Sequence, residues 1–279
     1  MIPPDDPRHG AEPLAMVDDW GAGVATAAAV DATGGVHRHG DTTQVVRIAS
    51  VTKLCTAWAT LVAVEEGAIA LSDPLGPAGS TVRHLLCHAS GLDFDTDAVI
   101  APPGRRRIYS NTGYDLLAEQ VGAASGIPFA DYLAEAVLAP LGMRSSELRG
   151  SAAKDLHSNV EDLLAFSDEL VHPRLLHPDT AAAALAPQFP ELAGVLPGWG
   201  PQDPCPWGLG PELRGTKSPH WTGTTAAPGT YGHFGGSGTL FWIDPVAGVR
   251  CIALSDREFD SWAVEAWPPF SDAVRAAYA

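Results

Sequence analysis

The sequence predicts an α/β protein of the α+β type: an antiparallel sheet built from N- and C-terminal strands, flanked by helices, with a mostly helical lobe between them. Three observations carry this. Segments of strand character lie near the two ends: apolar runs at 23–30 (GVATAAAV), 238–243 and 249–255, and a partly alternating stretch at 36–48. Segments with helical spacing of apolar residues fill the middle. The chain has 279 residues, room for one large domain or two interleaved lobes around a shared core.

The elements follow in order. The lead, 1–19, is rich in Pro and Asp and is expected to be flexible. A single domain then covers 20–279, with a sheet lobe at about 20–66 and 205–279 and a helical lobe at about 67–204. Asp31-Ala32-Thr33-Gly34-Gly35 supplies the turn of an N-terminal hairpin. Ser50 opens a helical pattern (Leu54, Ala57, Trp58, Leu61, Val62) that Gly67 ends. Thr81 is placed to cap a short helix with Leu85 and Leu86, and a loop rich in Asp, Pro and Arg runs from 93 to 108. Helices are expected from Asn111 or Thr112, over 128–138, over 160–171 behind Ser158 or Asn159, and over 261–278. The stretch 187–228 reads as irregular and holds Trp199, Trp207 and Trp221, which suit either a pocket wall or a lobe-closing core.

Charge and cysteine content narrow the function. Seventeen Lys and Arg against thirty-three Asp and Glu leave a formal charge of −16, which disfavours nucleic acid and anionic lipid partners. The one basic run, Arg105-Arg106-Arg107, is expected to be pinned to nearby carboxylates. Cys55, Cys87, Cys205 and Cys251 form no CxxC pair, so neither a disulfide framework nor a zinc site is expected, and a reducing compartment fits. The lead lacks a basic n-region and an apolar h-region, and no apolar stretch reaches about 18 residues. The expectation is a cytoplasmic protein without membrane insertion.

Three segments carry chemistry. Ser50-Val51-Thr52-Lys53 stands where a strand hands over to a helix, so unpaired N–H groups face the hydroxyl, and Lys53 lies one turn on. A serine needs a base, and a desolvated lysine can be one. Tyr109-Ser110-Asn111 precedes a helix; a phenol held near two ammonium groups could ionise and relay a proton, and the amide could bind a substrate carbonyl and Lys53. His233-Phe234-Gly235-Gly236 leads into the C-terminal strands, where a backbone can approach a ligand. The N–H groups of Ser50 and Gly236 could form an oxyanion hole. Each segment alone is weak: a cap, a packed aromatic, a Gly-rich turn.

Together they resemble the family of class C β-lactamases, penicillin-binding D-alanyl-D-alanine carboxypeptidases and β-lactamase-fold esterases. The resemblance runs from about Trp20 to the end. RIASVTK (47–53), TVRHLLCHASGL (81–92), Pro102-Pro103-Gly104, Tyr109-Ser110-Asn111 and Pro140-Leu141-Gly142-Met143 are similar to its landmarks, and His233-Phe234-Gly235 stands at the Lys-Thr-Gly position. It implies the β-lactamase/transpeptidase-like fold, an acyl-enzyme on Ser50 with Lys53 and Tyr109 handling its proton, and Asn111, His233, Phe234 and Gly235 against the substrate. It implies no metal and no other cofactor. His-Phe-Gly departs from Lys-Thr-Gly, which removes a cation and a hydroxyl that bind a substrate carboxylate. The expected substrate is therefore a small neutral ester or amide, with a carboxylesterase first. Acyl transfer, β-lactam or D-Ala-D-Ala hydrolysis, and a non-catalytic binding module are the alternatives. His88 is expected to order its loop. Oligomeric state is not legible.

Overall fold

The computed structural model describes residues 12–279. The N-terminal hairpin forms as its turn chemistry suggests: β1 (Ala25–Val30) pairs antiparallel with β2 (Val36–His39), and Asp31 accepts N–H bonds from Thr33 and Gly35 across the turn. A short β3 (Val46–Arg47) leads through a 3₁₀ turn, Ala49–Val51, into α1 (Thr52–Glu65). The helical lobe follows with α2 (Val82–Leu86), α3 (Asn111–Ser125), α4 (Phe129–Leu133), a π-helical segment (Ala134–Leu138) and α5 (Ala139–Leu141). Next come β4 (Glu147–Leu148), β5 (Leu156–Ser158), α6 (Val160–Val171) and α7 (Pro178–Ala184). The chain ends with β6 (Gly194–Leu196), β7 (Gly200–Gln202), β8 (Glu212–Leu213), β9 (Tyr231–Gly235), β10 (Thr239–Asp244), β11 (Val249–Ser255) and α8 (Ser261–Tyr278).

The terminal strands join in one antiparallel sheet ordered β2-β1-β11-β10-β9-β8. Its alternating side chains serve two cores. Ala28, Val30, Phe241, Ile243, Ile252 and Leu254 face α1 and the helical lobe. Ala27, Ala29, Leu240, Trp242, Cys251 and Ala253 face α8, where Trp267, Phe270 and Val274 cover them. Burial of each large side chain contributes about 1.5–3 kcal/mol, which is why strands with both faces apolar hold the centre of the sheet. α1 is buried continuously from Thr52 to Leu61. α3 starts where Ser110 accepts from the Gly113 N–H, and α6 where Asn159 accepts from the Asp162 N–H.

Four expectations are corrected. The lead is not flexible throughout: Pro13–Trp20 forms a 3₁₀ helix whose Leu14, Val17 and Trp20, three apart and so on one side, are buried with the α8 core. The rest of the lead, 1–11, lies outside the described residues. The stretch 187–228 holds three short strands, not an irregular run alone. The helix expected over 128–138 is divided by the π-helical segment and continues to Leu141. Arg107 is buried and bound by the carbonyls of Cys87, Gln188, Phe189 and Cys205, not by carboxylates, since a guanidinium fork can satisfy several loop carbonyls at once. Among the described residues, no helix is long and apolar enough to cross a membrane.

Candidate active site

Ser50 is held by the sheet as much as by its own helix. The turn before it is clamped at Ile48, whose N–H donates to the Leu156 carbonyl (3.0 Å) and whose carbonyl accepts from Thr239 Oγ1 (2.9 Å). Ala49 sits at φ 43°, in the left-handed region that a β-carbon resists, and the clamp maintains it. Gly235 of β9 packs directly on this turn. A β-carbon there would lie 2.4 Å from the Ile48 carbonyl oxygen and 2.3 Å from Thr239 Oγ1. Gly235→Ala is therefore expected to cost about 1–3 kcal/mol of stability by overpacking. It should also lower turnover by up to about 10²-fold, since displacement of a nucleophile by an ångström can cost that much. Thermal unfolding and ester kinetics on the variant check both.

Lys53 stands one turn beyond Ser50 and is fully buried. Its Nζ lies 3.4 Å from Ser50 Oγ, 2.6 Å from Asn111 Oδ1 and 2.9 Å from the Ala153 carbonyl. It also sits over the rings of Tyr109 and Tyr114, at 4.6 and 5.4 Å from their centroids. Burial pushes its pKa well below the ordinary lysine value, against the pull of Asp115 and Asp95 and with the push of Lys154. A neutral amine has two hydrogens and one lone pair. Asn111 Oδ1 and the Ala153 carbonyl can only accept, so they take both hydrogens and leave the lone pair for the serine hydroxyl.

Tyr109 stands beside Ser50 on the wall of the same cavity, and its Oη is 3.5 Å from His233 Nε2. His233 Nδ1 lies 2.6 Å from the Phe234 carbonyl, an acceptor only, so Nδ1 carries the hydrogen and Nε2 faces Tyr109 with its lone pair. Burial, then the neighbouring Lys53, pushes the His233 pKa down to about 3, and the ring is neutral. Burial pushes the Tyr109 phenol up, above its usual range. The two ammonium groups near which such a phenol could ionise are not both there: Lys53, its pKa pushed down, is one amine, and the second position holds a neutral imidazole.

The hydroxyl opens into a cavity of about 180 Å³. Phe94, Tyr109, Trp207, Phe234 and Phe259 wall it, and among the described residues no charged side chain lines it. Gly236 also lines it; its N–H has no acceptor among the described residues, and its carbonyl is fixed by the Phe259 N–H (2.7 Å). Ser50, second residue of its 3₁₀ turn, likewise has an N–H that the turn leaves unbonded.

The expected site residues thus come together, but not all at the cavity. His233 and Phe234 line it. Asn111 is buried behind Lys53 and hands its Nδ2 hydrogen to Asp95 (2.8 Å), so it faces the amine rather than a ligand. Gly235 is spent on contact with the serine turn. His88 orders its loop as expected: it is buried at φ 58°, accepts from the Ser110 N–H at Nδ1 and packs at a tilt against the rings of Tyr109 and Tyr114. Of the three tryptophans, Trp207 is wall, whereas Trp199 and Trp221 pack behind Phe234. Phe94 and Asp95 had no local pattern to mark them; only their position just after HASGL places them near Tyr109 and Asn111. Among the described residues, no group of His, Cys, Asp and Glu could hold a metal ion.

Known proteins resemble this chain in sequence and in structure. The family model described as Beta-lactamase matches residues 16–271. A solved β-lactamase from Mycobacterium bovis is 48% identical, with a TM-score of 0.93 over 96% of this chain and 99% of its own. EstCE1, described as a hydrolase with promiscuous acyltransferase activity, shares the fold at 17% identity, with a TM-score of 0.76 over 94% of this chain and 96% of its own. A D-alanyl-D-alanine-carboxypeptidase/endopeptidase of Escherichia coli is 30% identical over 139 residues, which is 37% of this chain and 36% of that protein. The chain thus aligns with about a third of that curated relative's length. A match across nearly the whole described chain, joined to a β-lactamase/transpeptidase fold around a Ser-x-x-Lys turn, establishes the lineage: the chain belongs to the β-lactamase family.

Proposed function

We propose that this member of a serine hydrolase family is a carboxylesterase of small neutral esters, acting through an acyl-enzyme on Ser50. The observation that carries the reading is the uncharged aromatic cavity of about 180 Å³ opening onto Ser50, with a buried Lys53 beneath it. Lys53, neutral, takes the Ser50 proton as Oγ attacks the carbonyl carbon. The N–H groups of Ser50 and Gly236 hold the oxyanion. The proton passes through the Tyr109 hydroxyl to the leaving alkoxide as the ester C–O bond breaks. Water then attacks the acyl-enzyme, gives up its proton by the same route and releases the acid, restoring Ser50. His233 Nε2, 3.5 Å from the Tyr109 oxygen, helps to fix the phenol beside this path. No organic cofactor or metal takes part.

A substrate carboxylate would meet no cation here, which speaks against β-lactams and D-Ala-D-Ala peptides. The same acyl-enzyme could be resolved by an alcohol, and the apolar walls, which hold little water, favour this as the second reading. The four cysteines are free and buried, which supports a reducing, cytoplasmic setting.

The test is intact-mass and peptide analysis after exposure to p-nitrophenyl butyrate, with kinetics on that ester and on the analogue bearing a carboxylate at the end of the acyl chain. One butyryl group on the Ser50 peptide, and a kcat/KM at least about tenfold higher for the neutral ester, are expected. Acylation elsewhere, or equal use of the anionic ester, would overturn the reading. Added short alcohols diverting butyryl into a new ester would select acyl transfer.

A further inference from the structure

The loop after HASGL brings a carboxylate to the back of the site. Asp95 Oδ1 accepts from Asn111 Nδ2 (2.8 Å) and from Lys154 Nζ (3.3 Å). The other end of the same amide, Asn111 Oδ1, accepts from Lys53 Nζ at 2.6 Å. The loop is fixed to α3 by two more bonds, Ser110 Oγ to the Asp93 carbonyl (2.7 Å) and the Asn111 N–H to the Phe94 carbonyl (2.7 Å). Asp95 is not among the residues that wall the cavity; it stands behind Asn111.

An amide is nearly symmetric in shape, and its two ends differ only in what they can bond. Turned one way, the Asn111 oxygen occupies one hydrogen of the Lys53 amine and leaves the lone pair for Ser50. Turned the other way, its NH₂ would donate to that lone pair and block it. A carboxylate is an acceptor only, so Asp95 permits the first orientation and forbids the second. We propose that Asp95 is a positioning residue for the base: through Asn111 it aims the Lys53 lone pair at the Ser50 hydroxyl, with Lys154 as the counter-charge that holds Asp95 in place. The inference rests on the reading of Ser50 and Lys53 as nucleophile and base.

Asp95 also acts as a charge. The charged groups around the amine are Asp115 on α3, Asp95 on the loop and Lys154 beyond β4. The titratable neighbours are His88, His233, Tyr109 and Tyr114, of which the histidines are pushed down and the phenols pushed up, so all four are uncharged. Asp95 itself is held below its usual range, first by the Asn111 bond, and so is anionic at neutral pH. Removing that anion makes a protonated Lys53 less favourable, and removing the Lys154 cation makes it more so. The acid limb of the rate profile, which follows protonation of the base, must therefore move in opposite directions in the two variants.

The experiment uses the full chain and p-nitrophenyl butyrate. In Asp95→Ala, kcat should fall about tenfold, part of the 10²–10⁴ that a general base supplies. KM should stay unchanged, and the acid limb should shift to lower pH by about half a unit, the size left to half-exposed charges after screening. Lys154→Met should shift the limb to higher pH by a similar amount. Asp95→Glu should recover part of kcat, because it restores an acceptor. A merely structural role for the loop would change stability or KM and leave the two limbs coincident. If Ser50→Ala and Lys53→Met abolish activity while Asp95→Ala keeps wild-type kcat and acid limb, the positioning role is wrong and the site stands. If those two leave activity intact, the site assignment fails first.

Discussion

Ser50→Ala is expected to lower hydrolysis of p-nitrophenyl butyrate by about 10⁴–10⁶-fold, the range seen when a nucleophile that works as one unit with its base is removed. The substitution deletes one oxygen at the end of a clamped turn, so thermal unfolding should stay within about 1 °C of the parent, in keeping with changes below about 0.5 kcal/mol. Lys53→Met, of similar length and suited to an apolar shaft, should lose about 10³-fold, within the span of general-base contributions. It also strands Asn111 Oδ1 and the Ala153 carbonyl, which now accept from the amine. The two losses should not multiply: the double variant should be no slower than Ser50→Ala alone, because a base without its nucleophile has nothing to do. Full additivity in steady-state kinetics would mean that Lys53 acts elsewhere.

The largest effect on stability is expected at Glu212, which lies outside the catalytic path. Its carboxylate, buried in β8, accepts from Lys217 Nζ (2.5 Å) and His220 Nε2 (2.9 Å) at one oxygen and from Trp221 Nε1 (2.9 Å) at the other. Lys217 is fully buried as well, and its ammonium faces Trp207, the cavity wall, at 5.5 Å from the ring centroid. Glu212→Gln leaves that ammonium without an anion, which costs about 3–5 kcal/mol. A fall in Tm of roughly 10 °C follows for a domain of this size. Glu212→Met with Lys217→Met should recover only part of the loss: it removes the charge imbalance but leaves His220 Nε2 and Trp221 Nε1 without an acceptor. Burial alone would raise the Glu212 pKa, but Lys217 and His220 outweigh it and hold the carboxyl well below its usual range. The sign follows: the ion pair's contribution is complete above the unfolded carboxylate value of about 4.3 and is lost as pH falls below it. Urea unfolding across pH 3–6 should show this slope in the parent and a weaker one in the double Met variant.

Regular elements were legible because their signals are local. The last two strands were read within a residue of β10 and β11, and the helices over 160–171 and 261–278 match α6 and α8, where apolar spacing and cap residues agree. Ser50, Lys53, Tyr109 and His233 lie together in the structure, and in the sequence only the resemblance to a family joined their segments, each of which is weak alone. Asp95, Phe94 and Glu212 were not legible, because nothing near them in sequence shows what they face. Asp95 meets Lys154, 59 positions later, and Glu212 meets three donors in a stretch without periodicity. Pro13–Trp20 was misread for the same reason: its three apolar side chains gain meaning only once α8, at the far end of the chain, lies over them.

The continuous burial of α1 sets how this protein should lose function on heating. Peptide hydrogens of its central turns can meet solvent only when the core between the sheet and the helical lobe comes apart, so their isotope exchange should be governed by loss of that whole core rather than by fraying of the helix. Loss of hydrolysis and loss of structure should then coincide along the temperature axis, with no inactive yet folded species in between.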